Sequence, residues 1–235
     1  MTHKPIDGGT ALLAVGVPLG LLFGAVALVR RAKPLHPRGL LRPGVLEITA
    51  AEETTGVPLL DSPGRHTCVV RTSRATGLPA PLPDIHGVAV RLELDGRTAD
   101  LLFAGTGTGP WGRHVLVPRT AAGRGAMTTL IPARSPQGPL LLGLFPDRGV
   151  DEQDPRGFSL SICRPGGPWS DRGHLTLLAQ RPGDTDPPLR FDPVTHPVPG
   201  LDHYPAVRSL REPSYALARR GWPVEPVETE QRVSM

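Results

Sequence analysis

Glycine and proline recur throughout this chain and limit the length of its regular elements. The 235 residues include 28 glycines and 29 prolines, and only 4% are aromatic. Between these turn-forming residues lie apolar runs of four to seven residues, which are typical of antiparallel barrels and sandwiches rather than helical bundles. The predicted strands are 45–49, 68–71, 88–94, 99–103, 114–118, 128–131, 140–145, 158–163 and 174–179.

Two segments break this pattern and predict helices. Residues 8–29 carry no charge and are rich in Leu, Val and Ala, which is long enough to cross a bilayer core of about 30 Å. Arg30, Arg31 and Lys33 follow, and this basic flank favours a membrane-anchored protein with its domain on the cytoplasmic side. A cleaved signal peptide and a buried core helix remain alternative interpretations of that segment. Residues 206–220 predict a second helix.

These features divide the chain into three parts: a membrane anchor at 1–33, an α+β domain at 34–221 and a flexible tail at 222–235. The net charge is +4, but the arginines alternate with acidic residues, which argues against nucleic acid as a partner. Cys68 and Cys163 lack C-x-x-C spacing, so a disulfide and two buried thiols both remain open. Composition is silent on the oligomeric state.

Several short segments with fixed internal spacing stand out from the rest of the chain. They are His36-Pro37-Arg38-Gly39, Glu47-Ile48-Thr49, Arg71-Thr72-Ser73-Arg74-Ala75, Asp84-Ile85-His86-Gly87-Val88, Asp100-Leu101-Leu102 and Arg211-Glu212-Pro213-Ser214-Tyr215. In this order they resemble the haem-binding core of catalases. Gly173-His174-Leu175-Thr176-Leu177, Phe191-Asp192-Pro193 and Pro199-Gly200-Leu201-Asp202 extend the resemblance. It implies a short, divergent member with an antiparallel β-barrel of catalase type, haem b as cofactor and a C-terminal helix carrying the proximal segment.

Tyr215 and Arg211 are the residues expected on the proximal side of the haem. They are four residues apart, so a helix would place both side chains on one face. A phenol becomes a phenolate near neutral pH only when iron or a nearby cation lowers its pKa. The resemblance implies that Tyr215 is the axial ligand of the haem iron and that Arg211 keeps it anionic.

Four more residues take roles from the same resemblance. His36 would be the distal acid–base group, which suits an imidazole that titrates near neutral pH. Ser73 would orient His36, while Arg71 and Lys33 would bind the propionates. Lys33 would bind a propionate through the single charge of its ammonium group, whereas an arginine would donate two parallel hydrogen bonds.

One departure from the catalase pattern bears on the activity. Catalases have an amide, G-N-N, after the segment matched by Asp100-Leu101-Leu102, whereas this chain continues Phe103-Ala104-Gly105. The missing Asn predicts a slower, peroxidase-like oxidoreductase rather than a fast catalase. The resemblance implies a hydroperoxide as the substrate. Because the proposed distal His36 follows the apolar segment closely, a lipid-derived small molecule is also expected.

Three other functions compete with this interpretation. The barrel could bind no haem and act as a membrane-tethered scaffold or lipid-binding module, since a fold does not determine a function. His174-Leu175-Thr176 matches the H-x-T motif of two-histidine phosphodiesterases, although no second copy occurs in the chain. Asp84-Ile85-His86 resembles the D-x-H of metallophosphoesterases, but most of the metal-ligand motifs of that class are missing.

Overall fold

Nine antiparallel strands are the main regular elements of the described chain. The computed structural model describes residues 39–78, 81–149, 151–179 and 189–204. The strands are β1 Gly39–Ile48, β2 Gly64–Arg74, β3 His86–Leu94, β4 Arg97–Gly105, β5 Met127–Thr128, β6 Ala133–Ser135, β7 Gly138–Pro146, β8 Gly157–Cys163 and β9 Ser170–Leu177. One short helix, α1, spans Pro58–Asp61, and single 3₁₀ turns occur at Gly112–His114 and Ala122–Arg124.

Eight of these strands close into a barrel. The order is β5-β4-β3-β2-β1-β9-β8-β7-β6, and β5 also pairs with β7. Closure leaves β6 as a three-residue partner outside the ring, paired only with β7 among the described strands. The predicted antiparallel barrel is therefore confirmed.

Both predicted long helices fall outside the described residues. The segment 8–29 precedes them, and the segment 206–220, with its Tyr215 and Arg211, follows them. Within the ranges that the structure describes, no helix has the length and apolar character needed to span a membrane.

The barrel interior is filled by alternate residues of each strand. In β3, for example, Val88, Val90 and Leu92 are buried in the core, whereas Arg91 points outward. This alternation follows from the two-residue period of a strand and matches the predicted face of β3. Cys68 and Cys163 are both buried free thiols rather than a disulfide.

The connection between β1 and β2 covers part of the core at one end of the barrel. Leu59 and Leu60 of α1 are buried with Val57 in the main apolar cluster. The Asp61 carboxylate accepts hydrogen bonds from the backbone N–H groups of Thr55 and Gly56 at 2.7–3.0 Å. Burial alone would raise the pKa of Asp61, but these hydrogen bonds outweigh it and hold the pKa below its usual value.

Two predicted strands differ from the observed structure. Residues 114–118 form no strand. A 3₁₀ turn occupies Gly112–His114, and a single bridge joins Leu116 to Thr106. The strand expected at 128–131 is only two residues long. It ends before Leu130, whose φ of 65° is incompatible with an extended strand.

Candidate functional site

Arg71 and Ser73 lie on the outer face of the barrel, on strand β2. Their inward neighbours Cys68 and Val70 belong to the core, so the alternation of the strand directs Arg71 and Ser73 outward together. The structure thus brings these two predicted site residues onto one surface. The other four predicted site residues, His36, Lys33, Arg211 and Tyr215, lie outside the described residues.

Strand register places mostly small side chains beside Ser73 and Arg71. Residues directly opposite one another on neighbouring strands share a face of the sheet. Two rows result, which we call the outer shelf: Gly39, Ser73, Gly87 and Ala104 in one row, and Leu41, Arg71, Ala89 and Leu102 in the next. The shelf spans four strands, or about 14 Å at a strand spacing of about 4.8 Å.

Gly39 leaves space on the shelf for the Arg71 guanidinium. A β-carbon at position 39 would collide with the Cζ, Nε and Nη2 atoms of Arg71. Any larger residue there would therefore displace the cation from its present position over β1. Gly39 of the His36-Pro37-Arg38-Gly39 segment thus leaves room for Arg71, a contact that no local sequence pattern indicates.

A buried ion pair borders the shelf on the next row of β3 and β4. The Arg91 guanidinium donates through Nε and Nη2 to the two oxygens of Asp100, both at 2.7 Å. Asp100 Oδ2 also accepts from the backbone N–H of Asp192 at 2.7 Å and lies 3.1 Å from Nδ1 of His196. The Arg91 guanidinium lies 5.0 Å from the ring centroid of Phe191. These contacts hold the segment 189–204 against the barrel beside the outer shelf.

Sequence reasoning did not identify this network, although one signal for it was present. Asp95 and Gly96 adopt φ values of 51° and 73° in the turn between β3 and β4, as expected of an Asp-Gly hairpin turn. Such a turn fixes the register of its two strands, which places Arg91 opposite Asp100. The contacts to Asp192 and His196 have no comparable local signal.

Asp84 and His86 have structural roles at the end of the barrel where β3 begins. The Asp84 carboxylate accepts from the backbone N–H groups of Thr76 and Ile85 at 2.9 and 2.8 Å. Burial opposes ionisation, but these bonds prevail, so the pKa of Asp84 is lowered. His86 Nε2 lies 3.1 Å from the Arg119 carbonyl oxygen, to which it donates, and burial lowers the pKa of His86. Over the described ranges, no three His, Cys, Asp or Glu side chains converge as a metal site would require.

His174 lies on a different part of the outer surface, on β9. Its Nε2 is 2.9 Å from Asp147 Oδ2, and its Nδ1 is 3.2 Å from Thr176 Oγ1. A β-carbon at Gly157 would overlap the Asp147 carboxylate, so the glycine is needed for this contact. The histidine of the H-x-T motif is thus paired with a carboxylate and with the threonine of its own motif.

Comparison with known proteins identifies the fold. No protein-family model matches the chain, and no curated protein matches it. Among solved structures, a fungal catalase matches with a TM-score of 0.60 and 16% identity over 93% of this chain and 64% of the catalase. A bacterial catalase gives 0.58 and 14% over 97% and 66%, and catalase A from Saccharomyces cerevisiae gives 0.60 and 13% over 94% and 66%. The chain spans just under two thirds of the length of these catalases, and its barrel has the catalase fold.

Proposed function

We propose that this protein binds haem b and uses a hydroperoxide as oxidant in a peroxidase-like reaction. The observation that carries the proposal is the outer shelf, on which Arg71 and Ser73 lie together on a barrel of catalase fold. In the same proposal Tyr215 would hold the haem iron, supported by Arg211. His36 would move the peroxide proton, and Lys33 would bind a propionate.

The described residues fit a flat, dianionic cofactor. Gly87, Ala89 and Ala104 project little above the sheet, so a planar group can approach the strands closely. Arg71 supplies a cation at the β1 side of this surface, and guanidinium groups bind carboxylates through strong charge-assisted hydrogen bonds. When bound, haem would supply the redox-active iron at which the peroxide is reduced.

The residues of the chain would provide the proton chemistry and the orientation. The Ser73 hydroxyl both donates and accepts hydrogen bonds, so it can hold the imidazole of His36 in one orientation. His36 would accept a proton from the bound peroxide and return it to the leaving oxygen. Arg211 would stabilise the phenolate of Tyr215 by its positive charge.

Ala104 explains why we propose a peroxidase-like rate. It lies in the same row as Ser73 and Gly87, and its methyl group cannot donate a hydrogen bond to a peroxide. Ala104→Asn should raise kcat/KM for hydrogen peroxide about fivefold, since a hydrogen bond contributes about 1 kcal/mol. Ala104→Leu, which has the shape of Asn without its amide, is the matched control and should give no gain. If both variants change kcat/KM equally, position 104 does not act through a hydrogen bond to the peroxide.

The experiment that tests the function is a haem measurement on the full chain. Protein expressed with added haem and extracted in detergent is analysed by visible spectrum and pyridine haemochrome, beside Tyr215→Phe. We expect stoichiometric haem in the wild type and its loss, or an altered spectrum, in the variant. Wild-type protein without haem would refute the proposal and leave the haem-free, membrane-tethered scaffold as the better function.

A second pair of variants tests the shelf itself. Arg71→Ala should weaken haem retention, whereas Arg65→Ala, on the same strand but 70% exposed and paired with Glu47, should not. Retention can be followed as transfer of haem to excess apomyoglobin. Identical transfer rates for the two variants would remove Arg71 from the site.

A further inference from the structure

We propose that Thr176, on the outer face of β9, is a nucleophile that accepts acyl groups from small activated esters. His174 is its general base, and Asp147 is the residue that positions His174. Thr176 Oγ1 lies 3.2 Å from His174 Nδ1, and Asp147 Oδ2 lies 2.9 Å from His174 Nε2. A hydroxyl within reach of a base that a third group orients is the arrangement that covalent catalysis uses. This activity needs no haem.

Two separate elements of the barrel bring the three side chains together. His174 and Thr176 are two residues apart on β9 and share its outer face, whereas Leu175 between them is buried in the core. Asp147 directly follows β7, and its backbone N–H donates to the Gly157 carbonyl oxygen at 3.0 Å. Gly157 lies opposite Thr176 in the strand register, and the Asp147 carboxylate occupies the space that a β-carbon of residue 157 would fill.

The Asp147 carboxylate determines which nitrogen of His174 carries the proton. Its two oxygens lie 3.1 and 2.9 Å from His174 Nε2. An ionised carboxylate only accepts hydrogen bonds, so a neutral imidazole donates to it through Nε2 and keeps a lone pair on Nδ1. Nδ1 therefore accepts the hydrogen bond from the Thr176 hydroxyl. The hydroxyl proton thus points at the atom that removes it when the oxygen attacks an ester.

The site is open to solvent. The side chains of His174 and Asp147 are 37% and 34% exposed, and Thr176 is half-buried. These exposures describe a surface site rather than an enclosed pocket. Binding then contributes little to substrate choice, so we expect the reactivity of the leaving group to decide which esters react.

The reaction needs water as its only co-reactant. Thr176 Oγ1 attacks the carbonyl carbon of an aryl ester and forms a new C–O bond, while its proton passes to His174 Nδ1. The bond from the carbonyl carbon to the aryl oxygen breaks, and the departing phenolate takes up that proton. Water then attacks the acyl-threonine with His174 again as the base, which releases the carboxylic acid and restores the hydroxyl.

Hydrolysis of p-nitrophenyl acetate by the full chain tests this activity. Thr176→Val removes the nucleophile and His174→Gln removes the base, and each should slow the release of nitrophenolate about 100-fold. Thr67→Val is the matched control, because Thr67 is exposed on β2 and pairs with Val45 from the side opposite Thr176. It should react at the wild-type rate. Circular dichroism confirms that each variant is folded. If Thr176→Val keeps the wild-type rate, the threonine is not the nucleophile and the proposal is overturned.

Mass spectrometry of acid-quenched protein gives a second readout. Nitrophenolate is a better leaving group than the threonine alkoxide, so acyl-threonine forms faster than it hydrolyses and accumulates. We expect one acetyl group on Thr176, and its loss in His174→Gln. Acetylation of other residues alone, or of none, would overturn the proposal.

The role of Asp147 is tested through the protonation of the ring. In Asp147→Asn the amide can donate to His174 Nε2, which moves the ring proton to Nδ1 and removes the acceptor for the Thr176 hydroxyl. The ¹⁵N NMR spectrum of the His174 ring should show this change of tautomer, and acetylation of Thr176 should slow with it. Slower acetylation with an unchanged tautomer would exclude the positioning role. The haem content of the same samples reports on the proposed function separately.

Discussion

Removal of the Asp100 carboxylate should destabilise the barrel strongly. Its side chain is fully buried, and it receives two hydrogen bonds from Arg91, one from the Asp192 backbone and one from His196. Asp100→Ala would leave the 13% exposed Arg91 guanidinium without its carboxylate, and loss of one partner of a buried ion pair costs about 3–5 kcal/mol. For a chain of this size that corresponds to a fall in Tm of about 6–20 °C. Urea unfolding followed by circular dichroism measures the free energy.

An exposed ion pair of the same length provides the control. Arg124 and Glu152 are also 2.7 Å apart, but their side chains are 54% and 56% exposed. Solvent screens such a pair, so Glu152→Ala should cost about 1 kcal/mol or less. A double-mutant cycle of Arg91→Ala and Asp100→Ala should give a coupling energy well above that of the exposed pair. If the two cycles agree within about 0.5 kcal/mol, burial does not govern the strength of these pairs and the reasoning fails.

Three further predictions concern single positions. Gly157→Ala should separate Asp147 from His174, because the new β-carbon overlaps the carboxylate; an unchanged imidazole NMR spectrum of His174 would contradict this. Burial lowers the pKa of His86, so the unfolded chain binds a proton at His86 at a higher pH than the folded chain does. The folded state therefore loses free energy of unfolding as the pH falls below about 6.5. The urea midpoint should therefore drop between pH 7 and 5, and His86→Gln should make the drop smaller; equal drops would exclude this contribution. Burial raises the pKa of Cys68 to about 12, so a thiol reagent at pH 8 should label it only after unfolding, and rapid labelling of native protein would disprove its burial.

The sequence predicted the barrel because its strands alternate clearly. β3 illustrates this: Val88, Val90 and Leu92 point inward, and Arg91 and Glu93 lie on the other face, as expected. The first half of β1 is not predicted from the sequence, because Pro43 and Gly44 are not typical of strands. β6, with the sequence Ala-Arg-Ser, has no apolar run at all. β6 is a strand only because it forms hydrogen bonds with β7, and the local sequence does not indicate that pairing.

The candidate site was predictable only where the motifs are local. Arg71 and Ser73 are two residues apart on one strand, so their common face follows from the chain itself. Their neighbours Gly87 and Ala104 join them only through strand register. The hydrogen bond from the backbone of Asp192 to Asp100 joins residues that are 92 positions apart in the sequence. A contact between such distant residues depends on how the whole barrel closes.

The closure of the barrel has a mechanical consequence. All ten residues of β1 pair with β2, whereas β5 joins β4 and β7 through only Met127 and Thr128. Separation at β5 therefore breaks the fewest interstrand hydrogen bonds and would convert the ring into a curved sheet with two open edges, while the other strands stay paired. Amide hydrogen exchange should reveal this motion as early loss of protection at β5 and at the facing edges of β4 and β7. The whole connection from β4 to β5, residues 106–126, ends at Met127, so a force applied to it acts on the strand with the fewest pairings in the barrel.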